Sequence, residues 1–200
     1  MKELQQPFNR EERRWEMNDQ MLHLMKNLKE TNKGHIFYEY KDEDLYIQNA
    51  VSFIVTAVKS GSHILLLEND RNIRLINRKL KDRLSEKEIE RIHFTNNFDF
   101  YYANGNFHPQ TLLEYFSERV RALETKEISV CSWGLIEWRD EDDISQQIEE
   151  YEREVNKIIE EKGLLSVCAY AADRLSDSLR QALIRSHGVL LTDEEVFYLP

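Results

Sequence analysis

A three-layer α/β domain, with a mostly parallel sheet covered by helices on both faces, is the fold this sequence predicts. Three observations point to it. Short apolar runs such as Ser62 to Leu67 are nearly continuous rather than alternating, as expected of strands covered on both faces. Segments of helical periodicity separate them, and strand–helix–strand crossovers give parallel pairing. No repeat, low-complexity tract or glycine/serine linker divides the 200 residues.

The elements follow in order. From Arg10 to Thr31, the residues Met17, Met21, Leu24, Met25 and Leu28 recur at helical spacing, with Trp15 one turn earlier. They predict an N-terminal amphipathic extension over residues 1–31, ahead of an α/β domain over 32–200. The extension packs on its own domain or on another protein, including a second copy. His35 to Tyr40 reads as the first strand, and Ile47, Ala50, Val51, Ile54 and Val58 mark the next helix face. Ser62 to Leu67 is a strand, Ile73, Ile76, Leu80 and Leu84 a helix, and Ile89 to Phe94 a strand. Leu112, Phe116, Val120 and Leu123 form a helix with Pro109 in its first turn. Ile128 to Trp133 is a strand, Ile144 to Ile159 a charged helix, Leu164 to Tyr170 a strand and Leu175 to Ser186 a helix. Val189 to Leu191 and Val196 to Tyr198 read as a closing hairpin.

A hydrophobic content of 41% over this length suits a single domain with a sizeable core. The formal charge of -10 argues against nucleic acid, whose binding depends on clustered cations. No run resembles a secretory signal or is long enough to cross a bilayer, so a cytoplasmic protein without a membrane partner is expected. Cys131 and Cys168 lie in apolar runs and read as buried free thiols, or more remotely as a redox pair on neighbouring strands. Neither has zinc-type spacing, and His35, His63 and His93 fall at candidate strands without ligand spacing. His187 follows the last helix, where it suits a bond to the terminal carbonyls. No metal and no cofactor are expected. With neither a GxSxG nor an HExxH motif present, no catalytic residue is assigned and the chain is expected not to be an enzyme.

The most informative stretch is Gly34 to Val58, which reads as strand, turn, helix. A phosphate loop of the form GxxxxGK[ST] would place glycine amides, a lysine and a hydroxyl there. This chain has Tyr38, Glu39, Tyr40, Lys41, Asp42, Glu43 and Asp44. At an effective dielectric of 20 and a separation of roughly 6 Å, each carboxylate repels a phosphate charge by about 3 kcal/mol before screening. The acids also suit a cap and complement the helix dipole. Either way, a nucleoside triphosphate is disfavoured.

Ligands of open parallel sheets collect beyond the carboxyl ends of the strands. Those ends carry Tyr38 and Tyr40, then Glu68, Asn69 and Asp70, then Thr95 and Asn96, Trp133, and Tyr170 with Asp173. Rings and carboxylates with few cations suit a small apolar or cationic molecule. The aromatic stretch of Phe98, Phe100, Tyr101, Tyr102 and Phe107 reads as a pocket wall or as a plug at the core's edge.

Landmarks in fixed order complete the pattern: His35-Ile36-Phe37-Tyr38, His63-Ile64-Leu65-Leu66-Leu67, Gly134-Leu135-Ile136-Glu137-Trp138, Tyr151 with Glu154 and Asn156, Cys168-Ala169-Tyr170, and His187-Gly188-Val189-Leu190. From Gly34 to Pro200 the chain resembles the MEDS domain, a sensory domain of regulators of dichloromethane metabolism and of histidine kinases. The resemblance implies a RecA-like domain that has lost its phosphate loop and senses small molecules such as hydrocarbon derivatives. The chain departs from that pattern at Leu135, where an acid is common, at Ala171 and Ala172, where an acid is expected before Asp173, and at Gly188, where proline is common. Glu137 and Asp173 are the acids nearest those positions. The expectation is therefore a non-catalytic sensory or regulatory module, with Tyr38, Tyr40, Asp70, Trp133, Glu137, Tyr170 and Asp173 as candidate ligand contacts. It would act on a signalling protein or through self-association. The alternative is a pure protein-interaction module with no small ligand.

Overall fold

The computed structural model of the protein describes residues 21–28, 34–102, 105–123, 129–138 and 144–200. Helix α1 covers residues 21–28, and the remainder of the expected N-terminal helix, including Trp15 and Met17, lies outside the described residues. The order then runs β1 (His35–Tyr40), α2 (Glu43–Lys59), β2 (His63–Glu68), α3 (Asp70–Lys81), α4 (Glu86–Ile89), β3 (Ile92–Asn96), α5 (Asn97–Tyr101) and α6 (Pro109–Leu123). It continues with β4 (Val130–Leu135), α7 (Ser145–Lys162), β5 (Leu165–Ala171), a 3-10 turn, α8 (Asp177–Ser186), β6 (Val189–Leu191) and β7 (Val196–Tyr198).

The strands form one sheet in the order β3-β2-β4-β5-β1-β6-β7. Every pairing is parallel except the closing β6–β7 hairpin. The chain leaves β1 across β5 and β4 to reach β2, and later passes from β5 over β1 to β6. The carboxyl end of β1 is thus where the crossovers diverge, the position at which such sheets bind ligands.

Side-chain alternation divides the core in two. Ile36, Tyr38, Ile64, Leu66, Trp133 and Val167 face one layer, made of α1, α2 and α3. Phe37, Leu65, Leu67, Cys168, Tyr170 and Leu190 face the other, made of α5 to α8. Met21, Leu24, Met25 and Leu28 are all buried in the first layer, so the described part of the N-terminal helix packs on its own domain. At the start of β1, a Cβ on Gly34 would stand 1.8 Å from the carbonyl oxygen of Leu164, so only glycine allows β1 and β5 to approach there.

Several boundaries differ from the sequence reading: α3 ends at Lys81, short of Leu84, and α8 starts at Asp177 rather than Leu175. Ile89 is not in a strand but ends α4, because Ser85 starts a helical turn in which its amide donates to Glu88 Oε2 at 2.8 Å. β3 consequently begins at Ile92. The stretch after Asn96, expected to be irregular, contains α5, whose first amides, those of Phe98 and Asp99, are capped by Asn96 Oδ1 at 2.9 and 3.1 Å. β4 extends to Leu135, two residues past the expected end, while Ile128 lies outside the described residues.

Candidate functional site

At the carboxyl end of β1, two carboxylates of the chain engage backbone amides at the entrance of α2. Asp42 caps α2 by accepting from the amide of Leu45 at 2.9 Å. Asp193, in the β6–β7 turn, reaches across to the same spot. Its Oδ2 accepts from the amides of Lys41 and Asp42 at 2.9 and 3.0 Å, and its Oδ1 accepts from the Tyr38 hydroxyl at 2.8 Å. A carboxylate supplied by the chain itself therefore occupies the amides at the helix entrance. Asn49 ties the turn down further, donating to Tyr38 Oη at 2.9 Å and to the carbonyl of Asp193 at 3.2 Å.

Next to this lies a buried network. Tyr46 Oη donates to Glu68 Oε1 and accepts from Trp133 Nε1 at 2.9 Å. Glu68 Oε2 accepts from the Asn69 amide and from Asn72 Nδ2, both at 3.1 Å. Burial pushes the Glu68 carboxyl up to about 7, and the bonds from Tyr46, Asn72 and Asn69 offset only part of that cost. The Tyr38, Tyr40, Tyr46 and Trp133 rings pack together, with Tyr40 and Tyr46 centroids 4.4 Å apart.

Solvent reaches the rim of this edge. Glu137 Oε2 accepts from Asn97 Nδ2 at 2.8 Å and from Asn69 Nδ2 at 3.2 Å, and Asp70 Oδ1 accepts from Asn96 Nδ2 at 2.8 Å. The phenol of half-buried Tyr40 is pushed well above its ordinary value, first by desolvation and then by the charges of Glu137, Glu68, Glu43 and Asp173. Four carboxyl groups thus lie near this aromatic ring.

The structure sorts the expected contacts into three places. Tyr40, Glu137 and Asp173 share the negative rim, with Asp70 exposed at the start of α3. Tyr38 and Trp133 are 0% exposed and belong to the core beneath it. Tyr170 lies on the opposite face of the sheet, where its hydroxyl donates to Glu152 Oε1. Of the aromatic stretch, Phe100, Tyr101 and Phe107 are buried in the second core layer, while Phe98 is exposed. Sequence reasoning missed Tyr46, Asn49, Asn97 and Asp193. The first two sit on the inward face of α2, one and two turns past the Asp42 cap, which is a readable signal; nothing local announces Asp193.

Tyr170 belongs to a second polar cluster, buried against α7 and α8. His35, Glu152, Cys168 and His187 meet there, although they are widely separated in sequence. The His35 and His187 rings stack with centroids 3.8 Å apart. Burial, and then the neighbouring His35, lower His187 to about 3, against the opposing pull of Glu152 and the Leu183 carbonyl. Burial works against an ionised Glu152, but His35, His187 and Tyr170 outweigh it and hold its carboxyl below the ordinary range. Burial, with Glu152 beside it, pushes the Cys168 thiol up. His187 Nδ1 faces the Leu183 carbonyl at 2.7 Å, the helix-end contact its sequence position suggested.

No curated protein matches the chain. A solved ATPase domain superposes with a TM-score of 0.51 at 11% identity, covering 80% of this chain and 69% of that one, a likeness of fold alone. Among the described residues, no helix is long and apolar enough to cross a membrane. The profile of a sensory-domain family matches residues 34–188, most of the chain. The chain belongs to the MEDS family, the methanogen/methylotroph, DcmR sensory domain.

Proposed function

We propose that the protein is a non-catalytic, cytoplasmic sensory module that recognises a small cationic or apolar molecule at the carboxyl edge of its sheet and passes the signal to a regulatory partner. The observation that carries the reading is the Asp193 carboxylate seated on the amides of Lys41 and Asp42. A phosphate-binding scaffold presents free loop and first-turn amides at this position. With Asp193 added to Asp42, Glu43 and Asp44, the α2 entrance repels a polyphosphate and is already satisfied without one. The rim formed by Tyr40, Glu137 and Asp173 offers instead a ring and negative charge, which favour a cation.

A thermal-shift series tests this. Small alkylammonium compounds and neutral hydrocarbon derivatives are titrated against the full chain, beside ATP with magnesium. A concentration-dependent rise in Tm with the former and none with ATP is the expected result. Saturable, stoichiometric ATP binding would overturn the reading.

A second reading, an interaction module with no small ligand, is favoured by the complete burial of Tyr38 and Trp133, which fill the space under the rim. It predicts no Tm shift with any small molecule. Deleting residues 1–31 bears on output in both readings. Because Met21, Leu24, Met25 and Leu28 belong to the core, the truncation is expected to destabilise the domain itself rather than leave it intact and silent.

A further inference from the structure

We propose that His35, Glu152, Cys168 and His187 form a closed binding site for a divalent transition-metal ion of the zinc class. The four residues come from β1, α7, β5 and the end of α8, all are buried, and their ligand atoms lie within 4.8 Å of one another. Glu152 Oε2 stands 3.2 Å from His35 Nε2 and 3.6 Å from His187 Nε2, and Cys168 Sγ stands 3.4 Å from His35 Nε2. A tetrahedral zinc ion, with bonds of about 2.0–2.1 Å to nitrogen or oxygen and 2.3 Å to sulfur, requires ligand separations of roughly 3.3–3.8 Å. These three distances fall in or next to that range.

Hydrogen bonding around the cluster points the same way. The far nitrogen of each ring faces an oxygen: His35 Nδ1 lies 3.2 Å from both Asn156 Oδ1 and the Ser186 carbonyl, and His187 Nδ1 lies 2.7 Å from the Leu183 carbonyl. A proton on each Nδ1 leaves both Nε2 lone pairs aimed inward, which is the arrangement by which outer partners orient metal-bound imidazoles. The Tyr170 hydroxyl donates to Glu152 Oε1 and leaves Oε2 to the cluster. Glu152 Oε2 and His187 Nε2 then have no hydrogen-bond partner despite full burial. With both Nδ1 atoms protonated, the Cys168 thiol at 3.4 Å from His35 Nε2 is the one donor among these converging acceptors, and it leaves Glu152 Oε2 and His187 Nε2 unbonded, a cost in a buried site that a cation removes. Imidazole, carboxylate and thiolate together suit zinc, and four protein ligands leave no open position, so the site is structural. On binding, the Cys168 thiol proton passes to solvent and the stacked rings swing apart to admit the ion.

The test uses the full chain, stripped with a chelator and then titrated with cobalt(II) as a spectroscopic stand-in for zinc. Saturation at equimolar metal, with a thiolate-to-cobalt charge-transfer band and the strong visible bands of a tetrahedral ion, is expected. Zinc displaces the cobalt and raises Tm. Cys168→Ala abolishes the charge-transfer band, whereas Cys131→Ala, in the other core layer, retains it. If the Cys168 variant does not fold, the wild-type spectrum and metal stoichiometry still decide. Folded wild-type protein that takes up no stoichiometric cobalt or zinc overturns the proposal, as does a charge-transfer band that survives Cys168→Ala; in the former case the cluster is an ion pair held by protons.

Discussion

The two faces of the sheet each bury a carboxylate against aromatic and polar neighbours, and they resolve its cost differently. On the α2 face, both oxygens of Glu68 accept hydrogen bonds, from Tyr46 on one side and from Asn69 and Asn72 on the other. Apart from Asn49 Oδ1, that face leaves no orphaned buried side-chain atom among the described residues. On the α7 face, Glu152 has one oxygen bonded by Tyr170 and one, without a hydrogen-bond partner, that lies near the His35 and His187 imidazoles. A carboxylate sealed by donors forms a closed structural network, whereas one with an unbonded buried oxygen calls for a further partner.

The largest effect separates the faces directly. Replacing Glu152 by alanine removes the acceptor of Tyr170 and the carboxylate beside two buried imidazoles, and should cost about 3–5 kcal/mol in urea unfolding, as for a broken buried pair. If it costs no more than the substitutions below, the contrast between the faces fails. Next is a pH effect at Glu68. Its folded value of about 7 lies above that of an ordinary carboxyl, so the folded state holds the proton more tightly. The contribution of Glu68 to stability is therefore fully present below the ordinary carboxyl range and is lost as pH rises from there through about 7, by roughly 3 kcal/mol for a buried group. Glu68→Gln should flatten that slope in denaturation curves collected between those limits. An unchanged slope assigns the dependence to another group.

Tyr46→Phe follows, leaving Glu68 Oε1 without its donor and Trp133 Nε1 without its acceptor, at about 1–3 kcal/mol. Calorimetry checks it, and a loss similar to that of an exposed tyrosine would show that water replaces the hydroxyl. The smallest effect belongs to the surface. The Arg71–Glu43 pair spans 2.9 Å but both side chains are about two-thirds exposed, so Glu43→Gln should change stability by less than about 1 kcal/mol and lose even that in high salt.

Much of the architecture was legible because its signals are local. Continuous apolar runs predicted strands covered on both faces, and Asp42 with Glu43 and Asp44 predicted a capped helix entrance, which the Asp42 bond to the Leu45 amide bears out. The misplaced start of β3 was also locally encoded, in the Ser85–Glu88 capping box, but apolar Ile89 was read as part of the neighbouring run. The candidate site was less legible. Strand ends could be named, yet which face each residue takes depends on register, and register set Tyr170 opposite Tyr38 and Trp133.

By itself the sequence determined the alternation of strands and helices, the lack of a GxxxxGK[ST] motif and the acidic character of the α2 entrance, because periodicity, capping and charge act between residues near each other in the chain. The sheet order, the seating of Asp193 on the amides of Lys41 and Asp42, and the meeting of His35, Glu152, Cys168 and His187 were decided only by tertiary structure. Those residues lie far apart along the chain, and it is crossover connections and parallel register that bring them within bonding distance.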